Sequence, residues 1–205
     1  MTLTDIIMYM AIAGGLWTAI VYFLWQKSKN ILITFLQSFC GALFIFSGWV
    51  KAIDPLGTAY KMEQYFAEFK VTFSQTSLSS VADIFPVMAE YAIVFAVIMI
   101  VLEIVLGIML LFGIYQKITA WSFFLLILFF TFLTGFTYLT GYVPEGVNFF
   151  SFSQWGDYVE TNMKVTDCGC FGDFIKLKPK VSFLKDIFLI VTAILFIVFK
   201  KILFT

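Results

Sequence analysis

Five stretches of this chain are long and apolar enough to cross a bilayer, and that fact limits the fold more than any other. A spanning helix needs about 20 predominantly apolar residues. The stretches are Ile6–Trp25, Ile31–Val50, Met88–Ile114, Ile118–Tyr138 and Phe183–Phe199. In hydrocarbon each backbone N–H and C=O must be satisfied by protein, so each stretch is expected to be an α-helix. Hydrophobic residues make up 61% of the chain and charged residues only 13%, whereas globular sequences are roughly half apolar. The expected fold is all-α: a polytopic integral membrane bundle of five transmembrane helices, forming a single domain over residues 1–205.

The charge pattern excludes several functions. Formal net charge is zero and there is no run of like charges, so nucleic acid is not an expected partner. Histidine is absent, which removes His-activated nucleophiles, His-ligated haem and the usual zinc sites. All thirteen basic residues are lysines, and the first is Lys27, after the first apolar stretch. A cleavable signal peptide carries its positive charge before the apolar core, so none is expected here.

The same lysines orient the bundle. Lys27 and Lys29, Lys117, and Lys200 and Lys201 fall on one side of a five-helix path. Positive charge in short connections marks the cytoplasmic side. The N-terminus and the long connections 51–87 and 139–182 are then expected outside, and the C-terminus in the cytoplasm. In a bacterium this places the protein in the inner membrane, in contact with lipid.

The outer connections carry their own signals. Asp54-Pro55-Leu56-Gly57 reads as a turn. Met62, Tyr65, Phe66 and Phe69 fall on one helical face of Tyr60–Lys70. This predicts a short amphipathic helix that lies on the outer membrane surface, caps the bundle, or packs its own face. The aromatic load of the second connection predicts that it folds over the bundle mouth. Ser182 is the expected N-cap of the last helix, with Asp186 favourable in its first turn.

Two sites emerge. Cys168-Gly169-Cys170-Phe171-Gly172 places two thiols two residues apart in the second outer connection, in a compartment that tolerates disulfides. Gly169 eases the tight ring that such a pair closes. Three readings are open: redox cycling, a static bridge pinning the loop, and linear Cu(I) binding. Zinc would want four ligands, and no metal is expected among the site residues. Cys40 sits roughly 16 Å below the outer end of its helix at about 1.5 Å per residue, and reads as a small packing residue. The second site is intramembrane. Glu103 lies in the middle of the third helix, where an ionisable group is costly and marks function by default. Gly107 follows one turn later on the same face. Gln37, Gly41, Phe44, Gly48 and Lys51 form a matching stripe on the second helix, and Thr131, Thr134 and Tyr138 one on the fourth. Glu103, Lys51, Gly107 and Thr134 are the candidate cofactor-binding residues. A protonated carboxyl there would donate to a carbonyl, for instance on a quinone ring.

These residues carry a resemblance. The run Gly41–Lys51 followed by Asp54-Pro55, with Glu103, Gly107 and Gly113, resembles DoxX-like proteins, and Cys168–Gly172 resembles MauE-like proteins. The chain is thus similar to the MauE/DoxX group of redox-associated bacterial membrane proteins, with the first helix added to a four-helix core. MauE-like proteins are tied to maturation of a disulfide-rich periplasmic dehydrogenase subunit. DoxX-like proteins are tied to sulfur-linked quinone reduction and thiol stress. The resemblance implies a thiol:disulfide or thiol:quinone oxidoreductase with quinone as candidate acceptor. No second cysteine pair is present outside, so a thioredoxin-like or other envelope protein is the expected partner. The rival reading is a non-enzymatic accessory subunit with Cys168–Cys170 as a structural disulfide.

The orientation is directly testable. A membrane-impermeant maleimide should label reduced Cys168 or Cys170 in intact spheroplasts. Labelling confined to inverted vesicles would reverse the topology and remove the oxidising compartment.

Overall fold

The computed structural model describes residues 3–25, 30–76, 79–165, 169, 171 and 177–199. Eight α-helices run in order: α1 (Leu3–Ile20, continued by a π-helical turn, Val21–Trp25), α2 (Ile31–Ile53), α3 (Pro55–Ser74), α4 (Ser79–Ala82), α5 (Ile84–Glu90), α6 (Ala92–Phe112), α7 (Gln116–Thr140) and α8 (Pro179–Val198). Five of them, α1, α2, α6, α7 and α8, are long and apolar enough to cross a membrane. The all-helical, five-span bundle expected from the sequence is therefore present.

Local chemistry sets the boundaries. Asn30 caps α2, its side chain accepting from the N–H groups of Leu32 and Ile33. Asp54 closes α2 and opens α3: its Oδ1 accepts from Gly57 N at 2.9 Å, and Pro55 takes the first helical position, where its missing N–H costs nothing. The chain breaks there and restarts as a helix, so the expected turn is a single helix-to-helix corner. The third apolar stretch is also divided. A turn at Tyr91 separates α5 from α6, and the span begins at Ala92 rather than Met88. At its other end Gly113 adopts the left-handed conformation (φ 65°). Ile114 N bonds Met109 O and Gly113 N bonds Leu110 O, the double closure that a glycine there permits.

The last helix starts earlier than expected. Lys178 is the N-cap residue and Pro179 the first helical position. Ser182 is fully buried in the first turn and is not the cap. Asp186 lies in the second turn and engages side chains, not the helix terminus. Proline overrides the serine because its fixed φ already suits a helix start.

Packing follows the small residues. A Cβ on Gly41 would lie 2.9 Å from Gly107 O, and one on Gly107 would lie 2.7 Å from Ile45 Cγ1. One on Gly48 would lie 2.6 Å from Ile104 Cγ1. Only glycine lets α2 and α6 approach this closely. Gly14 does the same for α1 against the Phe39 backbone, and Gly135 for α7 against Phe183 of α8. Cys40 is fully buried beside this crossing in the core cluster with Leu43 and Phe44. The amphipathic helix turns out to be longer than its predicted extent and is wedged between helices. Met62, Tyr65, Phe66 and Phe69 of α3 are buried. Phe66 packs on Phe95 of α6, Phe69 on Phe136 of α7, and Tyr65 Oη bonds Thr137 Oγ1 at 2.8 Å. It packs its own face, as one of the sequence readings held.

The connection after α7 folds back on the bundle. Gly156 N bonds Tyr142 O and Val159 N bonds Gly141 O, both at 2.9 Å. Trp155 stacks on Tyr142 and donates to Phe149 O. Asn148 donates to Thr72 O of α3 and to Oε1 of Gln75, which caps that helix. Aromatic rings thus supply the mass that holds this connection in place.

The α2–α6 crossing should be intolerant of volume. Gly107→Val is expected to lower stability by about 1–3 kcal/mol or more through overpacking. Gly15→Ala, whose nearest contact would be Phe35 Cε2 at 3.9 Å, should be close to neutral. Thermal unfolding of the two purified variants in detergent reads the difference.

Candidate functional site: two ion pairs around one cavity

Close approach of α2 and α6 places Lys51 against Glu103. Lys51 is 4% exposed and Glu103 1%. Lys51 Nζ donates to Glu103 Oε1 in a direct ion pair, donates to Ser47 Oγ at 3.2 Å, and lies 4.8 Å from the centroid of the Phe130 ring on α7. A carboxylate buried this deeply needs a paired cation. The ammonium in turn gains from the ring face. Glu103 Oε2 has no hydrogen-bond partner among the described residues.

A second pair lies across a small space. Lys185 Nζ contacts Asp186 Oδ1 at 2.8 Å. Thr134 Oγ1 of α7 donates to Asp186 Oδ2 at 2.9 Å. Lys185 Nζ is also 5.5 Å from the Phe171 ring centroid. Phe171 is buried against Phe46 of α2. One cavity of about 20 Å³ is lined by both pairs, by Ser47 and Phe130, and by Phe171. An apolar groove of about 540 Å³ adjoins it, formed by α1, α2 and α8, and shares Leu43, Lys185 and Leu189 with it.

Of the residues proposed from sequence, Lys51 and Glu103 meet at this cavity. Thr134 reaches it only through Asp186, and Gly107 serves the helix crossing instead. Thr131 bonds its own helix at Ile127 O, and Tyr138 bonds Tyr142 Oη. Neither lines the cavity. Lys185 and Asp186 were missed as site residues, because a Lys-Asp step at a helix start reads as capping. The burial of Asp186 against α7 is visible only once α8 is registered against Thr134 and Gly135.

Cys168 and Cys170 lie outside the described residues. Two positions of their motif are described. Gly169 has φ 59°, a left-handed backbone that glycine tolerates. A Cβ there would be 3.2 Å from Lys61 Cγ of α3. Phe171 fills the wall of the cavity. Of the motif's described residues, Gly169 thus lies beside α3 and Phe171 at the polar cavity. Nearby at the same end of the bundle, burial pushes the Glu68 carboxyl above its ordinary range, and Lys164 pulls it partly back.

The Lys51–Glu103 pair makes a sharp thermodynamic prediction. Lys51→Ala or Glu103→Ala alone leaves a charge buried and should cost about 3–5 kcal/mol. The double variant Lys51→Met, Glu103→Leu should recover most of that loss. Denaturant titration of the purified proteins in mixed micelles tests it; additive losses in the double variant would mean that the pair is not coupled.

Comparison with known proteins adds one match. The family model described as Methylamine utilisation protein MauE matches residues 29–145, more than half of the chain. The match contains α2 through α7, with Lys51, Glu103, Gly107 and Thr134; α1, the cysteine motif and α8 lie outside it. No curated protein and no solved structure matches the chain. With its five apolar spans, the chain is an integral membrane protein that belongs to the MauE family.

Proposed function

We propose that this protein is a membrane-embedded thiol–disulfide redox protein working at the outer face of the bacterial inner membrane, with Cys168 and Cys170 as its redox pair. The lysine-bearing short turns support the orientation, with 51–87 and 139–182 outside a single transmembrane domain. The observation that carries the reading is the anchoring of the motif. Gly169, between the two cysteines, lies against Lys61, and Phe171, next after them, is buried at the polar cavity. A motif meant only to decorate a loop has no need of a seat beside two ion pairs.

The chemistry is thiol–disulfide exchange. The thiolate of one cysteine attacks a sulfur of a partner disulfide, forming a mixed disulfide and releasing one partner thiolate. The second cysteine attacks the first, closing Cys168–Cys170 and releasing the partner as a dithiol. Two electrons pass from the pair to the partner; run in reverse, a partner dithiol becomes a disulfide and leaves its two electrons on the Cys168–Cys170 dithiol, which is the direction that quinone as final acceptor requires. A thioredoxin-like envelope protein is the partner class. Quinone, the candidate lipid-soluble acceptor, does not fit beside Glu103, where the space is water-sized. The apolar groove of α1, α2 and α8 has the room. A DoxX-like relationship would place the same groove at the centre of electron exit.

One observation favours the accessory-subunit reading. The MauE match ends at residue 145 and leaves the cysteine motif outside, so membership of the family rests on the helices and not on the pair. In that case Cys168–Cys170 is a structural bridge and the protein binds other envelope proteins through its long connections.

Trapping separates the two. Cys168→Ser or Cys170→Ser should accumulate a mixed disulfide with a partner protein, detectable as a reducible adduct by mass spectrometry, and the double variant should accumulate none. Absence of any adduct, with full activity of both single variants in cells, would replace thiol exchange with the accessory role.

A further inference from the structure

The space between the two ion pairs is accounted for by neither of them. It measures about 20 Å³, and one water needs roughly 10–15 Å³ of such space and two to four polar partners. The partners are there. Glu103 Oε2 is buried and has no hydrogen-bond partner among the described residues. Asp186 Oδ1, equally buried, has its ion pair to Lys185 and no hydrogen-bond partner among the described residues. Ser47 contributes a hydroxyl and Lys51 an ammonium. A dry void would leave Glu103 Oε2 with nothing to replace its hydration, which is costly for a carboxylate. A metal ion is the wrong occupant, because two ammonium groups already balance the two carboxylates at this cavity.

We propose that the cavity holds one water molecule, which joins Glu103 to the Lys185–Asp186 pair and makes the two ion pairs a single proton-exchange path. The groups facing it are Lys51 and Ser47 from α2, Glu103 from α6, Phe130 from α7, and Lys185 and Asp186 from α8. Lys51, Lys185 and Asp186 are therefore the titratable groups around Glu103. The path has a direction. The Lys185 side chain is 17% exposed and borders the groove, while Glu103 is sealed. A proton arriving at the Lys185–Asp186 pair moves onto the water as another leaves the water for Glu103 Oε2. Only N–H and O–H bonds are exchanged, and total charge is conserved. Thr134, donating to Asp186 Oδ2, keeps that carboxylate turned toward the cavity. The path is a property of the bundle core and does not depend on whether the cysteine pair cycles.

Solid-state NMR on the full chain in lipid bilayers, with ¹³C-labelled Glu and Asp, tests the water first. Polarisation from water protons should build up on the Glu103 and Asp186 carboxyl carbons, with the Glu103 signal identified by its loss in Glu103→Gln. Leu43→Phe should fill the cavity and slow the build-up at Glu103 several-fold. Ser47→Thr adds one methyl while keeping the hydroxyl; it should act in the same direction should the larger substitution fail to insert. No build-up at Glu103 in the wild-type protein, or the same build-up in both filled variants, would make the cavity dry and sink the proposal. Asp186→Asn then tests the path. It keeps the space and a hydrogen-bonding amide but removes the proton-carrying group. Build-up at Glu103 should persist, while exchange of the Lys51 ammonium protons after transfer to D₂O slows several-fold. Wild-type exchange in Asp186→Asn would mean that no path runs through Asp186.

Discussion

A carboxylate in the middle of an apolar helix has to be met by a cation, and here the meeting depends on how near two backbones can come. Gly41, Gly48 and Gly107 remove the side chains that would hold α2 and α6 apart. With them gone, Lys51 reaches across to Glu103. The pair, the cation–ring contact with Phe130 and the narrow cavity all follow from that crossing. Larger residues at those glycines would separate the charges and leave each to pay for its own burial.

The second pair is held by a different device. α7 and α8 pack through Gly135 against Phe183, and Thr134 one residue earlier donates to Asp186. A small residue and a hydroxyl side by side thus fix both the distance and the register of α8. The two helix pairs, α2–α6 and α7–α8, each carry one ion pair to the same point. Phe171, from the segment that leads into α8, completes the wall. Phe171 and the Lys51–Glu103 pair, far apart in sequence, thus line the same space.

Much of this could be read from the sequence. Length and hydropathy are enough for five spans, because the bilayer imposes a length that no soluble helix must meet. Glu103 and the Gly41–Gly48–Lys51 stripe were also visible, since polar and small residues at helical spacing in an apolar span rarely lack a partner. What was not visible depended on pairing between distant segments. Asp186 looked like a helix-start acid because local rules explain it well; its partner Thr134 is 52 residues away. The start of α8 was misplaced because Pro179 competes with Ser182 for the same signal. The wedge position of α3 needed the aromatic contacts to α6 and α7, which no periodicity encodes.

The far end of the bundle, away from the long connections, is tied in a way that matters for how it can move. Gln37 Nε2 of α2 donates to Leu110 O at 2.7 Å, and Trp17 Nε1 of α1 donates to Leu111 O at 2.8 Å. Both carbonyls belong to the last turn of α6, where Leu110 O takes the Gln37 bond in addition to the one from the cap residue Gly113. Three helices are thus pinned together at one level by bonds that water cannot replace in hydrocarbon. A change at Gln37 or Trp17 would therefore loosen α6 from α2 or from α1 at the same level, the one set by Leu110 and Leu111.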